Sequence, residues 1–265
     1  MPEGDTVWLA AHRLHEALAE RVLTVSDLRV PRLATVDLTG RRVLGVAPRG
    51  KHLLTRFEGG LTLHSHLRME GSWRVFAADE RPRGGPWHEI RAVLGNASRT
   101  AVGYRLPVLD LLRTEDEHRV VGHLGPDLLG PDWDPGAAAA RLVRDPTRPL
   151  VDALLDQRNL AGIGNVYACE LAFLARVSPW LPVGDLPGDV PLRLVTTAHR
   201  LLEANKARSD RTTTTSRTPG RVHVYGRGGR PCPRCGTPVS RASPEPGRNE
   251  RVTYWCRGCQ PGPSP

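Results

Sequence analysis

The chain has 265 residues, a hydrophobic fraction of 39%, a net charge of +9 and a pI near 10.0. That length allows one large or two medium domains with real cores. No run approaches the ~18 apolar residues of a membrane span and no secretory leader is visible, so the reading is a cytoplasmic protein. The charge points to a polyanion as macromolecular partner. Five cysteines in such a chain suggest metal or catalysis before disulfides. Of the 37 basic residues all are arginine except Lys51 and Lys206, which makes each lysine conspicuous.

The chain opens Pro2-Glu3-Gly4-Asp5. Met1 before proline is a favourable context for removal of the initiator, which would leave Pro2 a free secondary amine with the Glu3 carboxyl beside it. An α-amino group is roughly a tenth neutral at pH 7, a lysine well under ~0.1%. Such an amine is a ready nucleophile without the burial a lysine needs. From Asp5 to about Arg21 the residues Val7, Ala11, Leu14 and Leu18 recur at helical spacing, with Asp5 and Thr6 as cap candidates.

From Val22 to about Val121 the pattern turns to short β-like runs: Arg42–Ala47, His52–Phe57, Leu61–Leu67, Ser72–Phe76, Glu89–Leu94 and Thr100–Tyr104. Their spacing predicts a sandwich or barrel. Residues 77–86 read as an exposed loop. Residues 122–136 hold three prolines and four glycines and read as a linker between domains. Helical patterning follows at Ala137–Val143, Leu150–Leu155, Asn165–Leu174, expected to be amphipathic, and Val190–Ala207. Residues 208–220 are polar and low in complexity and read as a mobile loop.

Three motifs carry chemistry. Cys232-Pro-Arg-Cys235 and Cys256-Arg-Gly-Cys259, 20 residues apart, suit four thiolates around one structural Zn²⁺ with no open position. The intervening ribbon is too small for a core, so the metal supplies its stability. Arg251, on the second strand of that hairpin or at its turn, reads either as a solvated arginine or as one that a rigid hairpin presents to a phosphate. Cys169, on a helical stretch, reads as a small buried apolar residue. In residues 157–179 a helix ends, Gly162 and Gly164 supply turn conformations and Asn165 opens a new helix, whose N-terminus can serve as an anion site; an ordinary helix–turn–helix joint is the commoner explanation of such a turn. Arg49-Gly50-Lys51 stands at a strand entry, where glycine permits close backbone approach; a polar hairpin turn explains it equally well.

Taken in order, the Pro-Glu-Gly start, the Arg-Gly-Lys turn, Ala161-Gly162-Ile163-Gly164-Asn165 and the finger ending Arg251–Cys256 resemble the formamidopyrimidine-DNA glycosylase and endonuclease VIII family of base-excision repair enzymes. The likeness runs from Pro2 to Gln260. It implies an α+β multidomain fold: an N-terminal catalytic β-sandwich with a leading helix (1–121), a linker (122–136), a helical helix–two-turn–helix DNA-binding domain (137–220), a four-cysteine zinc finger (221–260) and a flexible tail (261–265). It implies damaged double-stranded DNA as partner, a monomer, and a bacterial cytoplasmic, nucleoid-associated location. Pro2 takes the role of nucleophile at C1′, Glu3 that of general acid/base, and Lys51 that of a phosphate contact that supports catalysis. Asn165, with Gly164 before it, and Arg251 match the phosphate-gripping positions. Arg68-Met69-Glu70 matches the segment that fills the gap left by the everted nucleotide, with Met69 the candidate wedge.

The Arg-Arg-Phe-Gly motif of the formamidopyrimidine branch is missing, and Tyr104-Arg105-Leu106-Pro107 stands in that region. This points to the endonuclease VIII branch and oxidised pyrimidines. The competing readings are a formamidopyrimidine-type enzyme for oxidised purines and a non-catalytic damaged-DNA-binding protein. Thr6 stands where many relatives have a glutamate and Asp5 where proline is common. Asp5 is read as a helix cap in preference to a substitute carboxylate. Glu70 is a poor gap filler, because burying its charge is costly.

Overall fold

The computed structural model describes residues 2–214, 221–244 and 251–265. The chain divides into two compact units, Met1–His123 and Leu124–Pro265. The first begins with helix α1 (Gly4–Leu18). Strands β1 (Val25–Leu28), β2 (Val43–Arg49), β3 (His52–Phe57), β4 (Leu61–His66), β5 (Ser72–Ala77), β6 (Ile90–Gly95), β7 (Arg99–Tyr104) and β8 (Val108–Arg113) follow, then the single turn α2 (His118–Val121). The strands form two antiparallel four-stranded sheets, in the orders β1-β6-β7-β5 and β2-β3-β4-β8. Leu53, Phe57 and Leu63 of one sheet and Leu28, Ala92, Leu94 and Ala101 of the other share a core.

Helix α1 is fastened to that core by Val7, Ala11, Leu14 and Leu18, each at most 2% exposed. Their i, i+4, i+7, i+11 spacing is the one that keeps side chains on one helix face. The helix stops at Leu18, three residues short of the expected end. Ala19 leaves helical geometry (ψ 143°) and Glu20 takes φ +60°. The Glu20 N–H then donates to the Val43 carbonyl at 2.7 Å. The expected strands are present within a residue or two. Strands β1 and β8 are additional, because Val25-Ser-Asp-Leu28 is too short to show alternation and Asp110 interrupts an otherwise apolar β8.

The outer face of β3 and β4 is polar. Arg56 donates to both Glu117 oxygens at 2.8 and 2.7 Å, and Thr62 Oγ1 donates to Glu117 Oε1 at 2.8 Å. Burial opposes ionisation of Glu117, but these hydrogen bonds and the Arg56 charge hold its carboxyl below the usual range.

The second unit contains α3 (Pro135–Leu142), α4 (Leu150–Leu155), α5 (Asn165–Ala175), α6 (Val190–Asn205) and the hairpin of β9 (Ser240–Ala242) with β10 (Thr253–Trp255). The boundary between the units falls inside residues 122–136. The part of that stretch beyond it packs into the helical core: Leu128 is fully buried there and Asp127 bridges to Ala161. Asp134 caps α3 by accepting from the Ala137 N–H at 2.9 Å, with Pro135 at the first helical position. Helix α5 departs from the amphipathic expectation. Asn165 to Phe173 are all buried, since helices pack on one side of it and the hairpin on the other. A helix apolar all round is a central one.

Leu14→Ala should lower stability by about 2–5 kcal/mol through the cavity it leaves. A urea titration checks this: the midpoint should fall with the slope unchanged.

Candidate active site and nucleic-acid interface

In the first unit the topology brings three predicted elements to one end of the sandwich. Arg49 pairs with His52, so Gly50 and Lys51 form a two-residue hairpin turn, and Gly50 (φ +58°) takes the left-handed conformation that glycine adopts without strain. His52 in turn pairs with His66, so the segment after β4 leaves at the same end. The helix N-terminus arrives there too. His15 Nδ1 accepts from the Val46 N–H at 3.2 Å and Glu20 N lies on Val43, so α1 runs back along β2. From the His15–Val46 contact the helix rises about 18 Å back to Glu3, more than the ~10 Å that β2 has left between Val46 and Arg49. Pro2 and Glu3 therefore stand at the Lys51 end.

Glu3 is fully buried and is the residue preceding α1; its carbonyl accepts from the Val7 N–H at 3.0 Å. A buried carboxyl against the positive end of a helix is a group with a job beyond solubility. Asp5 is not the cap that was expected. It lies inside the first turn, 3% exposed, and its Oδ1 accepts from the Thr6 N–H at 2.7 Å. The helix starts one residue earlier than the pattern suggested because Gly4 joins it.

The candidate wedge sits on a strained turn. Arg68 has φ +46°, its N–H donates to His66 Nδ1 at 2.9 Å, and the Gly71 N–H donates to the Leu67 carbonyl at 2.8 Å. Met69 projects from this turn, 63% exposed. A thioether held in water by a left-handed neighbour is costly unless something covers it.

Behind Lys51 lies a histidine cluster that pattern reading passed over, although His64 and His66 at strand period two share a face. His52 Nδ1 and His64 Nε2 are 2.8 Å apart, and the His66 ring meets His52 edge-on at 4.9 Å between centroids. Burial, then the His66, His64, His123 and Lys51 charges, push His52 down to about 3. Burial, then Arg68, Lys51 and His64, push His66 down to about 4. At neutral pH the cluster is uncharged, which leaves Lys51 as the cation of that turn.

In the second unit the loop before α5 turns at Gly162, where φ +107° calls for glycine, whereas Gly164 is extended (φ −122°). The Gln157 side chain braces this turn. It donates to the Leu155 and Ile163 carbonyls at 2.8 and 2.9 Å and accepts from the Gly162 N–H at 3.1 Å. Asn165 opens α5, and its Nδ2 donates to the Val252 carbonyl at 2.9 Å, one residue from Arg251. The two predicted phosphate positions are thus neighbours through one hydrogen bond. Arg251 is exposed at the bend before β10.

Cys232, Cys235, Cys256 and Cys259 place their sulfurs within 4.8 Å of one another. The separations of 3.8 Å (Cys232–Cys259) and 3.4 Å (Cys235–Cys256) are close to the ~3.8 Å edge of a tetrahedron with ~2.3 Å metal–sulfur bonds. The four thiols fit one metal ion. Cys169 is fully buried in the cluster beneath the hairpin, and its sulfur accepts from the Tyr254 N–H at 3.5 Å, as a packing residue should.

Glu170, also unread from sequence, is fully buried on α5 and accepts four hydrogen bonds. They come from the Thr213 hydroxyl and from the backbone N–H groups of His223 (2.7 Å), Val224 (2.8 Å) and Tyr225 (2.9 Å). It ties Thr213, inside the expected 208–220 loop, and residues 223–225 beyond it to the central helix; residues 215–220 of that loop lie outside the described residues.

A leading-helix sandwich, a helix–two-turn–helix and a four-cysteine hairpin follow one another in the order expected of the base-excision repair glycosylases. The model of the formamidopyrimidine-DNA glycosylase N-terminal domain matches residues 1–105 and that of its H2TH domain matches residues 124–217. The chain belongs to the formamidopyrimidine-DNA glycosylase and endonuclease 8 family. It is 68% identical to a probable endonuclease 8 2 of Streptomyces coelicolor, over 100% of this chain and 96% of that protein. It is 49% identical to the DNA-(apurinic or apyrimidinic site) lyase Nei2 of Mycolicibacterium smegmatis, over 98% and 99%. Among solved structures, Lactococcus lactis Fpg in complex with abasic-site DNA superposes with a TM-score of 0.81, at 25% identity over 98% of this chain and 100% of that one. No helix among the described residues is long and apolar enough to cross a membrane.

The histidine cluster makes a pH prediction. An imidazole in the unfolded chain titrates near 6.5. Between there and the depressed folded values, the unfolded state binds protons that the folded state does not. Stability should therefore fall as pH drops from about 6.5 towards 3–4. His52→Gln should flatten this fall in thermal melts between pH 6.5 and 4.5; an unchanged slope would remove the cluster from the account.

Proposed function

We propose that this chain is a bifunctional DNA glycosylase and AP lyase that excises oxidised pyrimidines from double-stranded DNA, with Pro2 as nucleophile. The observation that carries the reading is the buried Glu3 at the start of α1, at the sandwich end that also holds Lys51 and Met69. Removal of Met1 exposes the Pro2 amine. Its lone pair attacks C1′ of the everted nucleotide, the glycosidic bond breaks and its electron pair leaves with the base. Glu3 moves the protons of this exchange. The sugar ring then opens: the C1′–O4′ bond breaks, a proton goes to O4′ and the nitrogen lone pair forms the iminium at C1′. The iminium acidifies the C2′ protons, so the 3′ phosphate leaves by β-elimination and the 5′ phosphate by δ-elimination. A retained Met1 would turn the amine into an amide and stop the reaction at its first step.

Lys51, left as the cation of its turn by its neutral histidine neighbours, meets a backbone phosphate near the reacting sugar. Arg68 and Met69 enter the gap in the duplex. Asn165 and Arg251, braced on one another through Val252, grip phosphates, with the Gly164 backbone beside them. Zn²⁺ is the metal of the four thiolates, and it supplies hairpin stability and no reacting group. The domain plan follows: catalytic sandwich to residue 121, linker to 136, helical DNA-binding domain to 220, finger to 260 and a short tail. The protein acts as a monomer in the bacterial cytoplasm, on the nucleoid. Tyr104-Arg105-Leu106-Pro107, in place of the purine-branch motif, supports the pyrimidine assignment.

Borohydride should trap the chain covalently on abasic-site DNA, with the cross-link mapped to Pro2. Absence of trapping once Met1 is shown to be removed would leave a binding protein without the chemistry. In an excision panel, 5-hydroxyuracil and thymine glycol should be released faster than 8-oxoguanine; the reverse order opposite cytosine would move the chain to the purine branch. Arg251→Ala should weaken binding to many DNA sequences alike with zinc retained, and reduce the salt slope by about one. Cys256→Ser should lose the zinc, as read by a colorimetric chelator; full zinc content would contradict the ligand set.

A further inference from the structure

The sandwich end that carries Met69 holds one more exposed group. Trp87 is 75% exposed, more than any other large apolar side chain among the described residues. It lies in the short turn that leads into β6, and the β6–β7 pairing of Ile90 with Tyr104 sets that turn beside Arg105. The Arg105 N–H donates to the Glu89 carbonyl at 2.8 Å and its Nη1 to Glu89 Oε2 at 2.7 Å. Arg105 Nε reaches the Glu70 carbonyl at 3.4 Å, so one arginine joins the tryptophan turn to the wedge turn.

The indole is held, not loose. The Arg29 guanidinium lies 5.9 Å from the ring centroid, donates to the Trp87 carbonyl at 3.4 Å, and is itself fixed by Asp27 at 2.8 Å. The surroundings decide what the ring is for. A protein partner would need a contiguous apolar patch. Of the other exposed large apolar residues in this unit, Val22, Val25 and Leu44 belong to the opposite end of the sheets, where Val25 pairs with Gly95 and Val43 with Phe57. Only Met69 shares this end. A single aromatic ring set among arginines suits a base and its phosphates.

Resting on the reading of the chain as a DNA-repair enzyme, we propose that Trp87, backed by Arg29, stacks on a nucleobase of the DNA that flanks the everted nucleotide. Stacking on an aromatic side chain is tolerant of sequence, because every base has a π-face. The contact therefore adds affinity for damaged DNA without reading the lesion.

The test uses the full zinc-loaded chain and duplexes bearing a tetrahydrofuran abasic analogue. Trp87→Ala should bind about tenfold more weakly, while Trp87→Phe stays within about threefold of the parent. In parallel, 5-iodouracil placed singly at each flanking position should cross-link to Trp87 from one or two adjacent positions. Unchanged affinity of Trp87→Ala overturns the proposal. So does weaker binding with no cross-link to Trp87 from any position, since the ring would then only support its turn. Borohydride trapping of the parent chain on abasic DNA separates the two readings. Trapping with a normal Trp87→Ala removes the stacking contact alone; binding of the parent without trapping removes the enzyme reading alone, and failure of the parent to bind removes both.

Discussion

A chain terminus proposed as a nucleophile must be held still, and here that restraint is the burial of one face of α1. Val7, Ala11, Leu14 and Leu18 fix the helix on the sandwich, and His15 fixes its register against Val46. Each fully buried leucine contributes about 1.5–3 kcal/mol, ample to stop the fraying that chain ends otherwise show. Everything placed near Pro2 depends on this. Glu3 is buried because the helix delivers it, and the Lys51 turn and the Met69 turn lie at the sandwich end towards which the start of that helix points.

The second unit solves a related problem differently. Its hairpin is too small to have a core, so position must come from outside it. Asn165, Cys169 and Glu170, along one buried helix, hold Val252, Tyr254 and residues 223–225 respectively. An apolar helix carrying three polar contacts on the hairpin side transmits the geometry of the helical core to Arg251. The four thiols, which fit one metal ion, close the hairpin, while α5 aims it.

Much of this was legible in the residues. The spacing of the four cysteines, the Pro-Glu-Gly start and the Gly-Ile-Gly-Asn turn each have a local physical cause, so reading them needs no tertiary information. Where the cause is tertiary, pattern reading failed. Asp5 resembles a cap, but Gly4 extends the helix past it. The Asn165 helix was expected to be amphipathic, because its burial by the hairpin on one side and helices on the other is invisible along the chain. Glu170 has the residue type of a surface position, and only the fold reveals four donors converging on it. Strands β1 and β8 were missed because four residues or an interrupting aspartate leave no period to detect.

The Glu170 clamp also bears on modularity. Cysteine-stapled hairpins are commonly regarded as portable units that fold wherever their metal is supplied. This one draws part of its hydrogen bonding from outside itself. A fragment beginning at residue 221 would carry three consecutive amides at 223–225 whose acceptor stayed behind on α5, besides losing the Asn165 and Cys169 contacts. Evolutionary exchange of this finger between proteins would thus have to bring its supporting helix along. The two should be inherited as one piece.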